Sequence, residues 1–263
     1  MDRALLVVST ACFLVAVVRT LLAFRARDFR LGRFNFVAIA IGFVFQTAFL
    51  AVRGHQVGRC PITNLFDVFA FLSWSIALIY MLVGPAYRLS LMGAFTAPLI
   101  SLVQVTALLA PIDVPHQIRV PANSWLEFHA SMSMIAYGAF ALAFVAGLMF
   151  LVQERQLKTH QIGSMFHHLP PLTDLYLAIR RLLWLGFTLY TAGLISGFFT
   201  GEPLPWVKMI CAIAIWIAYG VILQGPRLFR LTPKHVAVLC IVAFSAAVCV
   251  LWGITFVSER LPS

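Results

Sequence analysis

"VPANSWLEFHASMSMIAYGAFALAFVAGLMFLVQ", residues 120–153, decides the fold. Behind two ionisable residues, Glu127 and His129, the segment stays predominantly apolar to Gln153. A helix needs roughly 20 such residues to cross the hydrocarbon of a bilayer. The run is too long, and too poor in strict alternation, for a barrel strand. Helices and closed barrels are the only structures that satisfy every backbone group in lipid. The segment is therefore predicted to be a transmembrane helix, long enough to tilt or to protrude.

Working outward, comparable windows fall at 4–24, 34–52, 65–83, 89–110, 125–152, 183–199, 206–224 and 234–257. The whole chain is 62% hydrophobic and 11% charged, against roughly 25% charged residues in soluble domains. The predicted fold class is all-α: a polytopic integral membrane helical bundle of about eight transmembrane helices. No internal repeat, low-complexity linker or soluble domain is evident, so residues 1–263 read as a single transmembrane domain. The first run ends in "RTLLAFRARDFR" rather than in a small-residue cleavage site, and reads as a retained span. The largest interruption breaks at Pro170-Pro171, with Thr173 or Asp174 as the expected N-cap beyond it. The amphipathic stretch 172–182 is expected to lie along the interface before turning into the sixth span.

Lysine and arginine set the orientation. Arg25, Arg27, Arg30, Arg33, Arg88, Arg155, Lys158, Arg180, Arg181, Arg227, Arg230 and Lys234 fall on one side. Arg3, Arg53, Arg59, Arg119, Lys208 and Arg260 fall on the other. Twelve against six places both termini outside. The net charge of +10 then sits mostly at the inner leaflet, where it favours anionic lipid; no nucleic-acid binding is implied.

Polar groups need a reason in such a chain. Arg19 lies near the inner end of span one and can snorkel. Asp67, Glu127, His129 and Lys208 lie within about a turn of the outer boundary, near tryptophan or a polar loop: "CPITNLFDVFAFLSW", "NSWLEFHASM" and "GEPLPWVKM". His129 is read either as an interfacial hydrogen-bonder or as a metal ligand through a free ring nitrogen. Glu127, two residues away, lies on roughly the opposite side of the helix, whereas Met132 and Ser133 share the face of His129. The other outer histidines are His55 and His116. The His167-His168 pair reads as a solvated loop rather than a metal site, since adjacent helical residues point about 100° apart and no Cys or carboxylate cluster accompanies it. Cys12, Cys211, Cys240 and Cys249 fall within spans, Cys60 is alone in an outer loop, and there is no CxxC. No GxSxG, HExxH, Walker loop or paired inward carboxylate is present. "GLISG", residues 193–197, is a small-residue packing signal.

Several of these stretches resemble one family. "PITNLFDVFAFLSW" is similar to the P-x-T-N-x-x-E segment of cytochrome c assembly proteins of the CcsA/HemX type, with Asp67 in place of the usual Glu. "WLEFHASMSMIAYGAFALAFVAGLMFLVQERQLK" resembles that family's W-L-x-x-H helix and its Q-E-x-x-L-K exit. "LPPLTDLYLAIRRLLWLGFTLYTAGLISG" and "IWIAYGVIL" resemble the following stretches, especially in the HemX and YpjD-like branch. The resemblance covers about residues 60–257, and order and spacing carry it.

The resemblance implies haem handling, with His129 as the axial ligand and Trp125, Asn64, Asp67 and Trp206 forming an outer-face pocket around it. It also implies a multi-pass protein of a bacterial-type plasma membrane, with other cytochrome c assembly or haem-synthesis proteins as partners. The chain departs from the family in three places. Of the tryptophan-rich W-D-P-K-E motif only Trp206 and Lys208 remain. The family's membrane histidine falls at Gln224, and its terminal outer histidine is missing from "GITFVSERLPS". The expectation is therefore an accessory, non-enzymatic membrane protein of cytochrome c assembly that binds haem at its outer face. The alternative is a HemX-like scaffold that regulates haem synthesis or docks a partner without haem. A small-molecule transporter ranks third, for want of a discontinuous span pair, a repeat symmetry or a midplane charge.

Overall fold

The structure, a computed structural model, describes residues 2–26, 32–58, 60–62, 64–84, 92–109, 123–159, 170–201 and 206–260. These form α1 (Asp2–Ala26), α2 (Gly32–Val57), α3 (Leu65–Val83), α4 (Met92–Leu109), α5 (Ser124–Lys158), α6 (Leu172–Gly197), α7 (Trp206–Leu228) and α8 (Pro233–Arg260). Among the described residues, seven of the eight helices are long and apolar enough to cross a membrane. α6 is not among the seven. It nevertheless runs along α5, with Gly186 against Phe140 and Gly193 and Gly197 against Ser133 and His129. The predicted class, a polytopic helical membrane bundle, is the observed one.

Start signals in the sequence act locally. The Asn64 and Asn123 side-chain oxygens accept hydrogen bonds from the backbone N–H groups of Asp67 (2.8 Å) and Trp125 (3.0 Å), capping α3 and α5. The start of α6 differs from expectation. Pro171 occupies the cap position without a side-chain hydrogen bond, and the helix begins at Leu172 rather than after Thr173 or Asp174. Nor does the chain turn between the amphipathic stretch and the sixth span. The two form one 26-residue helix, because Leu175, Ala178, Ile179 and Leu182 are buried along the same stripe that continues into Gly186.

α3 and α5 form the centre, and α5 packs most extensively on α6, α3 and α8. Outward faces are apolar, as lipid requires: Leu22 on α1, Val44 on α2 and Val207 on α7. Inside α1–α4, a buried polar cluster joins all four helices. Gln46 Nε2 donates to the Ala70 carbonyl (2.8 Å) and to Ser73. Ser73 Oγ donates to Gln104 Oε1 (2.9 Å), and Gln104 Nε2 donates to Thr10 Oγ1 (3.0 Å).

The chain is also built twice, contrary to the reading that it lacks an internal repeat. α1 packs on α2 and α4, and α3 on α2 and α4; α5–α8 repeat this circuit helix for helix. Matching contacts recur at matching positions. Gly42 on α2 lies against the Phe13 ring of α1, and Gly186 on α6 against the Phe140 ring of α5. Thr47 accepts from Trp74 Nε1 (2.9 Å) while Phe43 and Trp74 stack at 5.6 Å. Thr191 accepts from Trp216 Nε1 (2.9 Å) while Phe187 and Trp216 stack at 5.4 Å. Gln46 donates to the Ala70 carbonyl, and Tyr190, its counterpart, donates to the Ala212 carbonyl at 3.3 Å. "GFVFQTAFL" (42–50) and "GFTLYTAGL" (186–194) agree at five of nine positions.

Candidate functional site

The N-terminal end of α5 and the C-terminal end of α6 are fastened together. Asn123 Nδ2 donates to the Thr200 carbonyl (2.6 Å), and the Trp125 and Phe199 rings lie 5.1 Å apart. Both rings are exposed, as befits aromatic residues at a membrane–water boundary. One turn deeper, His129 Nδ1 lies 2.7 Å from the Gly193 carbonyl oxygen. A carbonyl only accepts, so Nδ1 carries the proton. In the neutral ring the lone pair is then on Nε2. Ligand histidines are oriented by this same arrangement, a backbone carbonyl fixing tautomer and ring plane. The Gly193 oxygen also accepts from Ser196 Oγ (2.7 Å).

Glycine is required here for close approach. A Cβ at Gly193 would sit 2.7 Å from Ser133 Oγ, and one at Gly197 would sit 3.0 Å from His129 Nδ1. The small residues of "GLISG" thus let the α6 backbone reach the imidazole. In the first half of the chain the matching α2 positions are Phe49 and Arg53. The second half is opened where the first is filled.

Glu127 faces the other way, as its spacing from His129 predicts. Its Oε1 accepts from the Cys60 backbone N–H at 3.4 Å, and Ser131 Oγ lies 3.6 Å from Cys60 Sγ. Burial pushes the Cys60 thiol above its ordinary value. The Ser131 contact opposes that shift, and the Glu127 and Asp67 carboxylates add to it. Cys60 is therefore a protonated, poorly nucleophilic thiol at neutral pH.

The remaining members of the expected pocket have other surroundings. Asn64 is buried and caps α3. Asp67 is buried and accepts from Arg53 Nε at 3.1 Å, with the guanidinium 5.4 Å above the Phe66 ring. Both sit where α2 ends and α3 begins, on the Glu127 side of α5. Trp206 opens α7 and is 75% exposed. Of the five residues expected to line one pocket, the structure places Trp125 and His129 together at the α5–α6 end. Asn64 and Asp67 form a separate brace. Sequence reasoning read Gly193 and Gly197 only as a packing signal, and missed the Asn123–Thr200 contact. It also missed the Arg53 partnership. His116 and the His167-His168 pair lie outside the described residues.

Haem iron takes axial ligands on opposite sides of the macrocycle. The residues present fit one of these: an imidazole held by a carbonyl at Nδ1, beside two exposed aromatic rings. Met132 lies on the same helix face and cannot supply the opposite position. Among the described residues, no group of three His, Cys, Asp or Glu side chains gathers as a conventional metal site.

A bundle of membrane-crossing helices with an oriented histidine at one end defines a class of multi-span membrane protein. Comparison with known proteins makes the family specific: residues 62–261 match the cytochrome C assembly protein family, and the chain belongs to it. It is 26% identical to the cytochrome c biogenesis protein CcsA of Synechococcus sp. (strain JA-3-3Ab), over 82% of this chain and 80% of that one. It is 23% identical to the protein HemX of Brevibacillus brevis, over 69% and 67%. With CcsA of Synechocystis sp. (strain ATCC 27184 / PCC 6803 / Kazusa) it shares 30% identity over 48% and 39%.

Proposed function

We propose that the chain is an accessory protein of cytochrome c assembly, in a bacterial-type plasma membrane, that holds haem at its outer face through His129. One observation carries this reading: the Gly193 carbonyl fixes the Nδ1 proton and leaves Nε2 as the ligating atom. Trp125 and Phe199 supply flat apolar surface beside it. His129 would supply one ligand to the haem iron; a second would come from outside α5, from a partner protein, from His55 in the last turn of α2 or from His116. With a single oriented ligand the chain acts as a holder rather than as an independent lyase, and no catalytic residue is assigned.

Detergent-purified protein titrated with haem tests this. The wild type is expected to develop a Soret band of an imidazole-ligated haem, and His129→Ala to lose it while keeping its thermal stability. A spectrum that stays that of free haem at every ratio rejects the ligand role. The second reading, a HemX-like scaffold without haem, is favoured by the absence of the family's other histidines. It predicts that His129→Ala is silent in cells, whereas substitutions at Arg155, Lys158 and Arg180 on the inner face are not.

A further inference from the structure

The duplicated architecture leaves one internal interface half-used at each end of the molecule. The first half receives the second through α3, whose outer flank takes α5: a Cβ at Gly138 would sit 2.6 Å from the Ser75 carbonyl oxygen. On this flank of α3, Val68, Leu72, Ser75 and Ile79 follow one another at helical spacing, and all are buried. Trp74 corresponds to Trp216, so the matching α7 residues are Ile210, Ala214, Ile217 and Val221. All four are exposed: Ser75 is 0% accessible and Ile217 is 51%.

α1 shows the complement. Phe13 corresponds to Phe140, so the α3-facing residues Gly138, Leu142 and Val145 of α5 match Ala11, Val15 and Val18. The α5 set is buried and the α1 set is exposed; Leu142 is 0% accessible and Val15 is 51%. Among the described residues α7 packs on α6 and α8, and α1 on α2 and α4. The relation between the halves is thus an open one: α3 of the first takes α5 of the second, and among the described residues no helix covers α7 in the same way.

We infer that a second copy of this chain docks on α7 through its α1, repeating between molecules the interface that joins the two halves within one. Between helices in lipid, shape-matched packing rather than the hydrophobic effect drives association, and the two faces occupy the positions of a pair that already packs within the molecule. The contact is heterologous, with different surfaces on the two copies, so it closes into a ring or continues as a row rather than forming a two-fold dimer. Ala11 in place of Gly138 and Ile217 in place of Ser75 set these helices further apart than α3 and α5.

The test uses the full chain in native membranes, with its five cysteines replaced by alanine. Ala11→Cys and Ile217→Cys are placed on separately tagged copies, co-expressed and mildly oxidised. The expected result is a disulfide between the two differently tagged copies, at least about tenfold faster than for Val44→Cys with Ile217→Cys, since a held pair has the higher effective concentration. Homodisulfides of either variant alone are expected to be scarce. The proposal is overturned by a rate equal to that of the Val44 pair, which is lipid-limited collision. Dominant homodisulfides, which mean a two-fold contact, or capture of a different membrane protein at position 217 would also overturn it. A light-scattering mass of one chain for the wild type in lipid nanodiscs at high protein-to-lipid ratio has the same consequence.

Discussion

His129 Nδ1 and the Gly193 carbonyl oxygen are 2.7 Å apart across the α5–α6 contact. That hydrogen bond couples the chemistry of the imidazole to the packing of two helices. A change on α6 that never touches a ligand is therefore expected to alter what His129 can hold.

Gly197→Ala tests the coupling most directly. Its Cβ would meet Nδ1 at 3.0 Å and tilt the ring off the carbonyl. Loss of such a supporting contact weakens metal affinity by about 10–100-fold, and haem titration is expected to fall in that range with little change in thermal stability. Gly193→Ala, 2.7 Å from Ser133 Oγ, forces the helices apart and is expected to destabilise the protein by about 1–3 kcal/mol, as overpacking does. An affinity for haem that is the same in Gly197→Ala as in the wild type would break the argument.

The Arg53–Asp67 pair is buried on both sides. Removing one partner takes the buried ion pair from the other, so Arg53→Met or Asp67→Leu alone is expected to cost about 3–5 kcal/mol. The double variant is expected to recover most of that loss, because both desolvated charges go together. Melting temperatures of the three variants in one detergent supply the cycle.

Cys60 gives a pH dependence. Its thiol is raised above the ordinary 9.0, first by burial, so the folded state holds this proton more tightly than the unfolded state does. The associated stabilisation is complete below pH 9, and is lost as the pH rises through the folded value. With the other four cysteines replaced, alkylation of Cys60 by a neutral maleimide is expected to have its midpoint above pH 9. Glu127→Gln removes one raising contribution and is expected to move that midpoint down; an upward shift would contradict the contact.

The duplicated Thr–Trp contacts make a paired prediction. Thr47→Val and Thr191→Val each leave an indole N–H without its partner. The two substitutions are expected to cost similar amounts, about 0.6–2 kcal/mol for interhelical hydrogen bonds in membranes. A several-fold disparity in unfolding free energy would argue against equivalent halves.

Most of the helices were legible because an apolar window is a property of the sequence in one dimension. α6 was less so. Its first turns, with Asp174, Arg180 and Arg181, have the pattern of an interfacial helix, and only packing on α5 continues them into the span. His129 and Trp125 were legible for the same one-dimensional reason, as polar and aromatic residues at the head of an apolar run. Asn64 and Asp67 lie where α2 ends and α3 begins. Sequence distance could not tell which side of α5 they occupy, nor that Arg53, on another helix, neutralises Asp67. The repeat escaped because its strongest match spans nine residues, while its Phe–Gly and Thr–Trp contacts join helices separated by connections of unequal length.

Each set of four helices closes its own circuit of neighbours, α1 onto α4 and α5 onto α8. Covalent continuity between Leu109 and Asn123 is therefore expected to be dispensable for assembly. Produced as two polypeptides cut in that interval, the pieces are expected to insert separately and reunite through Ser75 and Gly138, giving a split protein whose two parts can be varied, labelled and exchanged independently.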